Sequence, residues 1–166
     1  QNKFLKSITS KNYSFLNQDM GDKRAIKKAL ENIDAVVLLA GLVGDPITKK
    51  YPKESIYINE KNIKNVIDVC LKRKLKRLIF VSTCSNYGLI SNNELANENH
   101  LLNPLSSYAK SKVKIEKYIL SKKKYKNFHP TILRFSTAFG LSDRMRYDLT
   151  INEFTKDLFL KKSLLV

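Results

Sequence analysis

A chain of 166 residues is long enough for one domain with a sizeable core, and its 43% hydrophobic and 28% charged content is that of a soluble globular protein, which argues against disordered and fibrous classes. No apolar run approaches the roughly 18 to 20 residues that span a bilayer, and Gln1 to Lys6 carries neither an apolar segment nor a small-residue cleavage site, so a cytoplasmic protein with no membrane contact is expected. The formal net charge of +16 is spread over nearly every amphipathic stretch, densest at Lys122 to Lys126 near an expected helix end; solvated helix faces are the simpler reading, attraction of an anionic substrate is the alternative, and no nucleic-acid partner is expected.

Tyr13 to Leu16 is predicted as a short strand, followed by Asp22 as the N-cap of a helix running to about Leu30. In DAVVLLAG, Asp34 to Ala40 reads as a strand buried on both faces and ending at Gly41. A helix over Ser55 to Lys72 sets Ile56, Ile63, Val66, Ile67 and Cys70 at helical spacing, and KRLIFVST supplies another buried strand, Arg77 to Ser82. After a polar loop, Ser91 to Asn103, the run PLSSYAKSKVKIEKYIL predicts a long helix. Pro104 stands near its first turn, and Ala109, Val113, Glu116, Ile119 and Leu120 fall near one face. His129 to Ser136 is the last clear strand, with Pro130 at its start, and Asp148 to Leu158 is predicted helical.

Strand-length apolar runs alternating with helix-length amphipathic ones predict an α/β fold with a parallel sheet, without internal repeats, linkers or an internal boundary. A dinucleotide fold also needs a first strand and a turn of the type G-x-x-G-x-x-G, and no such run occurs. Leu165 and Val166 read as the start of a further strand, so the sequence is expected to be cut at both ends. Cys70 and Cys84 have neither metal-ligand spacing nor the density of a disulfide scaffold. Both are expected to be free thiols, Cys70 in the core and Cys84 beside the site, and no metal centre is predicted.

Tyr108 and Lys112, in SSYAKSK, form an i, i+4 pair that shares one helix face. A phenol titrates near about 10, and bringing it to neutral pH requires roughly 4 kcal/mol of differential stabilisation, which a neighbouring ammonium helps to supply. Upstream, the strand ending in VSTCSNYG sets the Thr83 hydroxyl at the carboxyl edge of the sheet, where open α/β folds bind ligands. A hydroxyl there can bond the substrate oxygen that Tyr108 deprotonates.

The segments NQDMGD, DAVVLLAG, INEKNIKNVIDVC, FVSTCSNYG, SYAKSK and LRFSTAFGLSDRMRYDLTINEF, in this order, resemble the extended short-chain dehydrogenase/reductases of the NAD-dependent epimerase/dehydratase family. The resemblance implies a Rossmann-like doubly wound parallel sheet, incomplete here. Residues 1–143 would form a partial NAD(P)-binding domain and residues 144–166 the start of the substrate region. It implies that Asp19 and Met20 contact the adenine and that Leu39, Ala40 and Gly41 line the adenosine ribose. Asn59 would stand near the cofactor, an exposed helix polar residue being the alternative. Thr83 is similar to the residue that orients the substrate, with Cys84 and Ser85 beside it; Tyr108 resembles the acid/base, and Lys112 the residue that binds the nicotinamide ribose. Phe135, Ser136 and Thr137 look like the loop that touches nicotinamide and sugar. Arg134 reads as structural, and Arg144 or Arg146 either faces the nucleotide diphosphate or belongs to an exposed basic loop.

Sugar 4,6-dehydratases of this type carry Asp and Glu directly after the active-site Thr, whereas Cys84 and Ser85 offer no acid or base for elimination. Val43 and Thr137 stand where many UDP-galactose 4-epimerase-like members carry Lys and Asn, which leaves the sugar open. The expectation is an NAD-dependent nucleotide-sugar epimerase, UDP-glucose 4-epimerase-like, working as a homodimer by transient oxidation of a sugar hydroxyl and return of the hydride. NADP is the alternative cofactor. A sugar reductase or dehydrogenase of the same family, and a non-catalytic polyanion-binding module, are the alternative functions.

Overall fold

A computed structural model describes residues 12–91, 94–143 and 145–164, apart from the side chain of Asp45. Two units are distinguished, residues 16–136 and a smaller one drawn from residues up to Phe15 and from Thr137 onward. In the larger unit, α1 (Lys23–Ala29) starts at Asp22, whose carboxylate accepts from the Arg24 N–H at 2.8 Å and satisfies one of the free amides of the first turn. β1 (Ala35–Leu38) follows. Then α2 (Asp45–Lys50), α3 (Pro52–Ile56), a π-helical turn (Tyr57–Asn62) and α4 (Ile63–Lys72) carry the chain back to β2 (Arg77–Thr83). A 3-10 turn (Cys84–Tyr87) and α5 (Ser107–Ser121) lead to β3 (His129–Phe135). The smaller unit holds α6 (Thr150–Phe159).

The described strands form one parallel sheet in the order β1-β2-β3, each connection returning through helix as parallel pairing requires. Register sets Leu38, Phe80 and Ile132 in one row across it, and Ser82 beside Arg134 in a row nearer the carboxyl edge. Side chains alternate along β2, so Leu78, Phe80 and Ser82 all point inward and are buried. Ile63, Val66, Ile67 and Cys70 of α4 and Ile115 and Ile119 of α5 cover them and complete the core. Each fully buried side chain of this size contributes about 1.5–3 kcal/mol.

The sequence expectations differ from this fold at identifiable places. Tyr13 to Leu16 forms no strand: no ladder partner meets it, and Phe15 and Leu16 stay exposed. β1 is buried on one face only. Val37 and Leu39, at 56% and 66% exposure, point to the side that no described element covers. Pro104 precedes the N-cap of α5, Ser106, whose hydroxyl accepts from the Ala109 N–H at 3.1 Å. Ile56 and Leu120 are exposed, because the π turn shifts the helix phase at the first and α5 is at its last turn at the second. Leu165, Val166 and Arg144 lie outside the described residues.

Candidate active site

Parallel strands end at a common edge, and the residues following β1, β2 and β3 there are the ones the sequence singled out: Leu39 to Gly41, Cys84 with Ser85, and Ser136. Thr83 is the last residue of β2 and the N-cap of the 3-10 turn. Its hydroxyl accepts from the Ser85 N–H at 3.2 Å, which bends the chain sharply and leaves Cys84 and Ser85 exposed. Phe135 and Ser136 are exposed where β3 ends, and a cavity of about 890 Å³ runs past Cys84, Tyr87, Arg134, Phe135 and Ser136. Thr137 is an exposed residue of the smaller unit.

Tyr108 is half-buried in the first turn of α5, and Lys112, one turn on, is 5% exposed. The Lys112 ammonium donates to the Val81 carbonyl at 2.7 Å and stands 4.6 Å from the centre of the Phe80 ring and 5.6 Å from that of Tyr108. One side chain therefore joins the helix bearing Tyr108 to the strand bearing Thr83. The electrostatics differ from the sequence expectation, because burial acts on both groups. It pushes the Tyr108 phenol up, while Lys112 is pushed down to about 8, the Glu116 carboxylate opposing that fall. The phenol is thus held protonated in this state.

Asn59 is buried and is no exposed polar residue. Its Oδ1 accepts from the Leu42 N–H at 2.8 Å, and its Nδ2 donates to the Leu42 carbonyl at 2.9 Å and to Ser55 Oγ at 3.3 Å. The amide thereby closes the turn after β1. A Cβ on Gly41, whose φ is 154°, would come within 2.9 Å of Asn59 Oδ1, so only glycine lets turn and amide approach this closely.

At the other flank, Asp19 Oδ1 accepts from the Gly21 N–H at 2.7 Å and Met20 packs against the core. Both line an apolar groove of about 420 Å³ that extends past Ile26, Val36 and Ala40. An apolar slot with a carboxylate at its rim suits a flat heteroaromatic ring bearing an amino group, and a side-chain-free turn at the strand end suits the sugar beyond it. The residues present fit the adenosine part of a dinucleotide.

In the smaller unit Arg146 pairs with Asp148 at 2.6 Å, a bond that holds the exposed Asp148 carboxyl down at about 2. Asn152 of α6 is buried; it accepts from the Gly140 N–H and donates to the Arg146 carbonyl, both at 3.0 Å. Sequence reasoning missed this anchor, as it missed the junction of Glu116 with Arg134 beneath the sheet edge, an ion pair of 2.7 Å. The available signal was a glutamate on the apolar stripe of α5. Among the described residues no group of three or more His, Cys, Asp or Glu could hold a metal ion, and no helix is long and apolar enough to cross a membrane.

Comparison with known proteins gives a consistent picture. The model of the NAD dependent epimerase/dehydratase family matches residues 2–162. The N-acetyl-alpha-D-glucosaminyl-diphospho-ditrans,octacis-undecaprenol 4-epimerase of Escherichia coli O157:H7 is 33% identical over 132 residues, covering 76% of this chain and 38% of that protein. UDP-arabinose 4-epimerase 1 of Arabidopsis thaliana is 28% identical over 128 residues, covering 76% of this chain and 30% of that protein. The solved structure of UDP-glucuronic acid 4-epimerase from Bacillus cereus, with UDP-glucuronic acid and NAD, is similar at a TM-score of 0.81 and 26% identity, covering 98% of this chain and 50% of that one. The chain thus spans well under half the length of these two curated relatives.

Proposed function

The chain belongs to the NAD-dependent epimerase/dehydratase family, and from that premise we propose that the full-length protein carrying it is a nucleotide-sugar 4-epimerase that uses NAD. As the phenolate, Tyr108 takes the proton from a sugar hydroxyl and later returns it, while Thr83 orients that oxygen through its own hydroxyl. Lys112 keeps a positive charge beside the phenol and favours its anion during the transfer. Bound NAD would supply the hydride acceptor and donor for the sugar carbon. Asp19 and Met20 would hold its adenine, Leu39, Ala40 and Gly41 its ribose, and Lys112, Tyr108 and Phe135 its nicotinamide end. Asn59 serves by shaping the Leu42 turn. Cys84, Ser85 and Ser136 would face the sugar.

The observation that carries this reading is the Lys112 bond to the Val81 carbonyl, which joins Tyr108 and Thr83 at one sheet edge. Cys84 and Ser85, following Thr83, offer no carboxylic acid, which favours epimerisation over elimination. The 4-epimerase names of similar proteins support the position of attack, and their UDP-linked sugars are the first substrates to try. Full-length Tyr108→Phe is expected to lose on the order of 10²-fold or more in kcat. Wild-type turnover by that variant would end the assignment. The same reading includes a cytoplasmic location and a homodimer; the dimer is supported by the exposed Ile56 and Tyr57 where α3 meets the π turn, and sedimentation of the full-length protein as a monomer would remove it.

A further inference from the structure

One carboxylate beneath the sheet edge gathers five pieces of the fold. Glu116 on α5 is 1% exposed. Arg134 of β3 grips it with Nη2 on Oε2 at 2.7 Å and Nε at 3.1 and 3.2 Å from the two oxygens. Oε1 also accepts from Ser82 Oγ of β2 at 2.5 Å and from Asn86 Nδ2 of the 3-10 turn at 2.7 Å. Asn86 Nδ2 is in turn 3.0 Å from Ser82 Oγ. The remaining arm of Arg134 donates to the Tyr87 hydroxyl at 3.1 Å and to the Glu98 carbonyl at 3.3 Å, in the loop before α5.

Stability alone is a weak reason for such a cluster. Desolvating two charges offsets much of their attraction, and an apolar pair of similar volume often packs as well. Direction is what the charges add. Val81, Ser82 and Thr83 are consecutive at the end of β2, and Tyr108, Lys112 and Glu116 recur every four residues along one stripe of α5. The Val81 carbonyl is tied to Lys112 and the Ser82 hydroxyl to Glu116. Two bonds from adjacent strand residues to adjacent helix turns fix both the height and the rotation of the strand end against the helix. Thr83 and Cys84 come next. The Glu116 charge also opposes the burial that lowers Lys112.

We propose that Glu116 is a positioning residue: clamped by Arg134, it holds Ser82 and the Cys84–Tyr87 turn against α5 and so sets the reach from Thr83 to Tyr108. The inference rests on the roles proposed above for Tyr108 and Thr83. Its test uses the full-length protein with Ser82→Ala, which removes one strand-side bond and leaves the Glu116–Arg134 pair intact, and with Glu116→Gln. Ser82→Ala is expected to lower kcat on the order of tenfold, as displacement of a reacting group does, with the KM for the nucleotide sugar unchanged and kcat recovered in Ser82→Thr. Both variants are expected to speed amide hydrogen exchange in the Cys84–Tyr87 turn. Wild-type kcat in Ser82→Ala would overturn the proposal. So would a loss shared by kcat, KM and thermal midpoint that threonine fails to rescue, since that describes a structural role. If the unmutated protein epimerises nothing, the functional reading falls, and exchange in the turn still decides the clamp: unaltered rates in both variants would overturn it.

Discussion

The Lys112 ammonium donates to the Val81 carbonyl and makes no hydrogen bond to Tyr108, although the Tyr108 ring centre is 5.6 Å away. Lys112 therefore works on the phenol as a nearby charge, and whether it is charged depends on burial, which pushes it down to about 8. In the unfolded chain it titrates near 10.5. Below about pH 8 both states hold the proton and the cost of burying the ammonium is fully present. Between those two values the unfolded chain binds more protons, so the folded state gains stability as pH rises. Cys70, pushed up to about 11, acts in the opposite direction above about pH 9, so the expected outcome is a difference: from pH 7 to pH 10 the urea midpoint of the wild type changes more favourably than that of Lys112→Met. Equal pH dependence in the two proteins would place the Lys112 titration elsewhere.

Asn59 offers a prediction about the turn that follows β1. Asn59→Ala strips both the donor and the acceptor from the Leu42 backbone, half-buried groups that water reaches only in part. A loss of about 1–3 kcal/mol is expected in denaturant titration. In the full-length protein the loosened turn, which carries Gly41, is expected to weaken NAD binding measured by calorimetry. Unchanged affinity would separate the turn from the cofactor site.

These two residues mark where sequence legibility ends. The apolar runs of β1, β2 and β3 and the helical spacing of α5 are local properties, so their elements were readable to within a few residues. Tyr13 to Leu16 is as apolar as a strand, but a strand exists only with a ladder partner, and pairing is not local. The i, i+4 spacing of Tyr108 and Lys112 was visible, yet burial reverses the expected shift of the phenol. Nor does an asparagine announce that its partner is the backbone 17 residues earlier, or a glutamate that an arginine 18 residues later completes it. Composition reveals which groups need partners; folding alone decides which they meet.

Gly88 tests how closely the backbone around the site is packed. It lies at φ 75°, ψ −144°, directly after the 3-10 turn, and a Cβ there would stand 2.2 Å from the Asn103 carbonyl oxygen. Gly88→Ala combines an unfavourable backbone with an overlap that only main-chain movement relieves. It is expected to cost about 3 kcal/mol or more. Gly140, at φ 107° with nothing within 4 Å of a Cβ, is the control, where alanine is expected to cost about 1–2 kcal/mol from the backbone alone. Thermal midpoints of the two variants that coincide would mean the Asn103 contact is not tight.

The two cysteines separate chemistry from access at the site. Cys70 is buried in the core and its thiol is pushed up to about 11 by burial, whereas Cys84 is exposed beside Thr83. At pH 8 Cys70 is both protonated and out of reach, so a thiol reagent is expected to find a single fast-reacting group, lost in Cys84→Ser. In the full-length protein, alkylation of Cys84 is expected to abolish turnover, because the adduct stands where the sugar must approach Thr83. Cys84→Ser, which replaces the sulfur with a smaller oxygen and adds no bulk, is expected to retain most of it. The contrast isolates the bulk of the adduct from the reactivity of the thiol. A Cys84→Ser protein as inactive as Tyr108→Phe would instead make the thiol part of the proton chemistry and would require a partner for it that the turn after Thr83 does not otherwise supply.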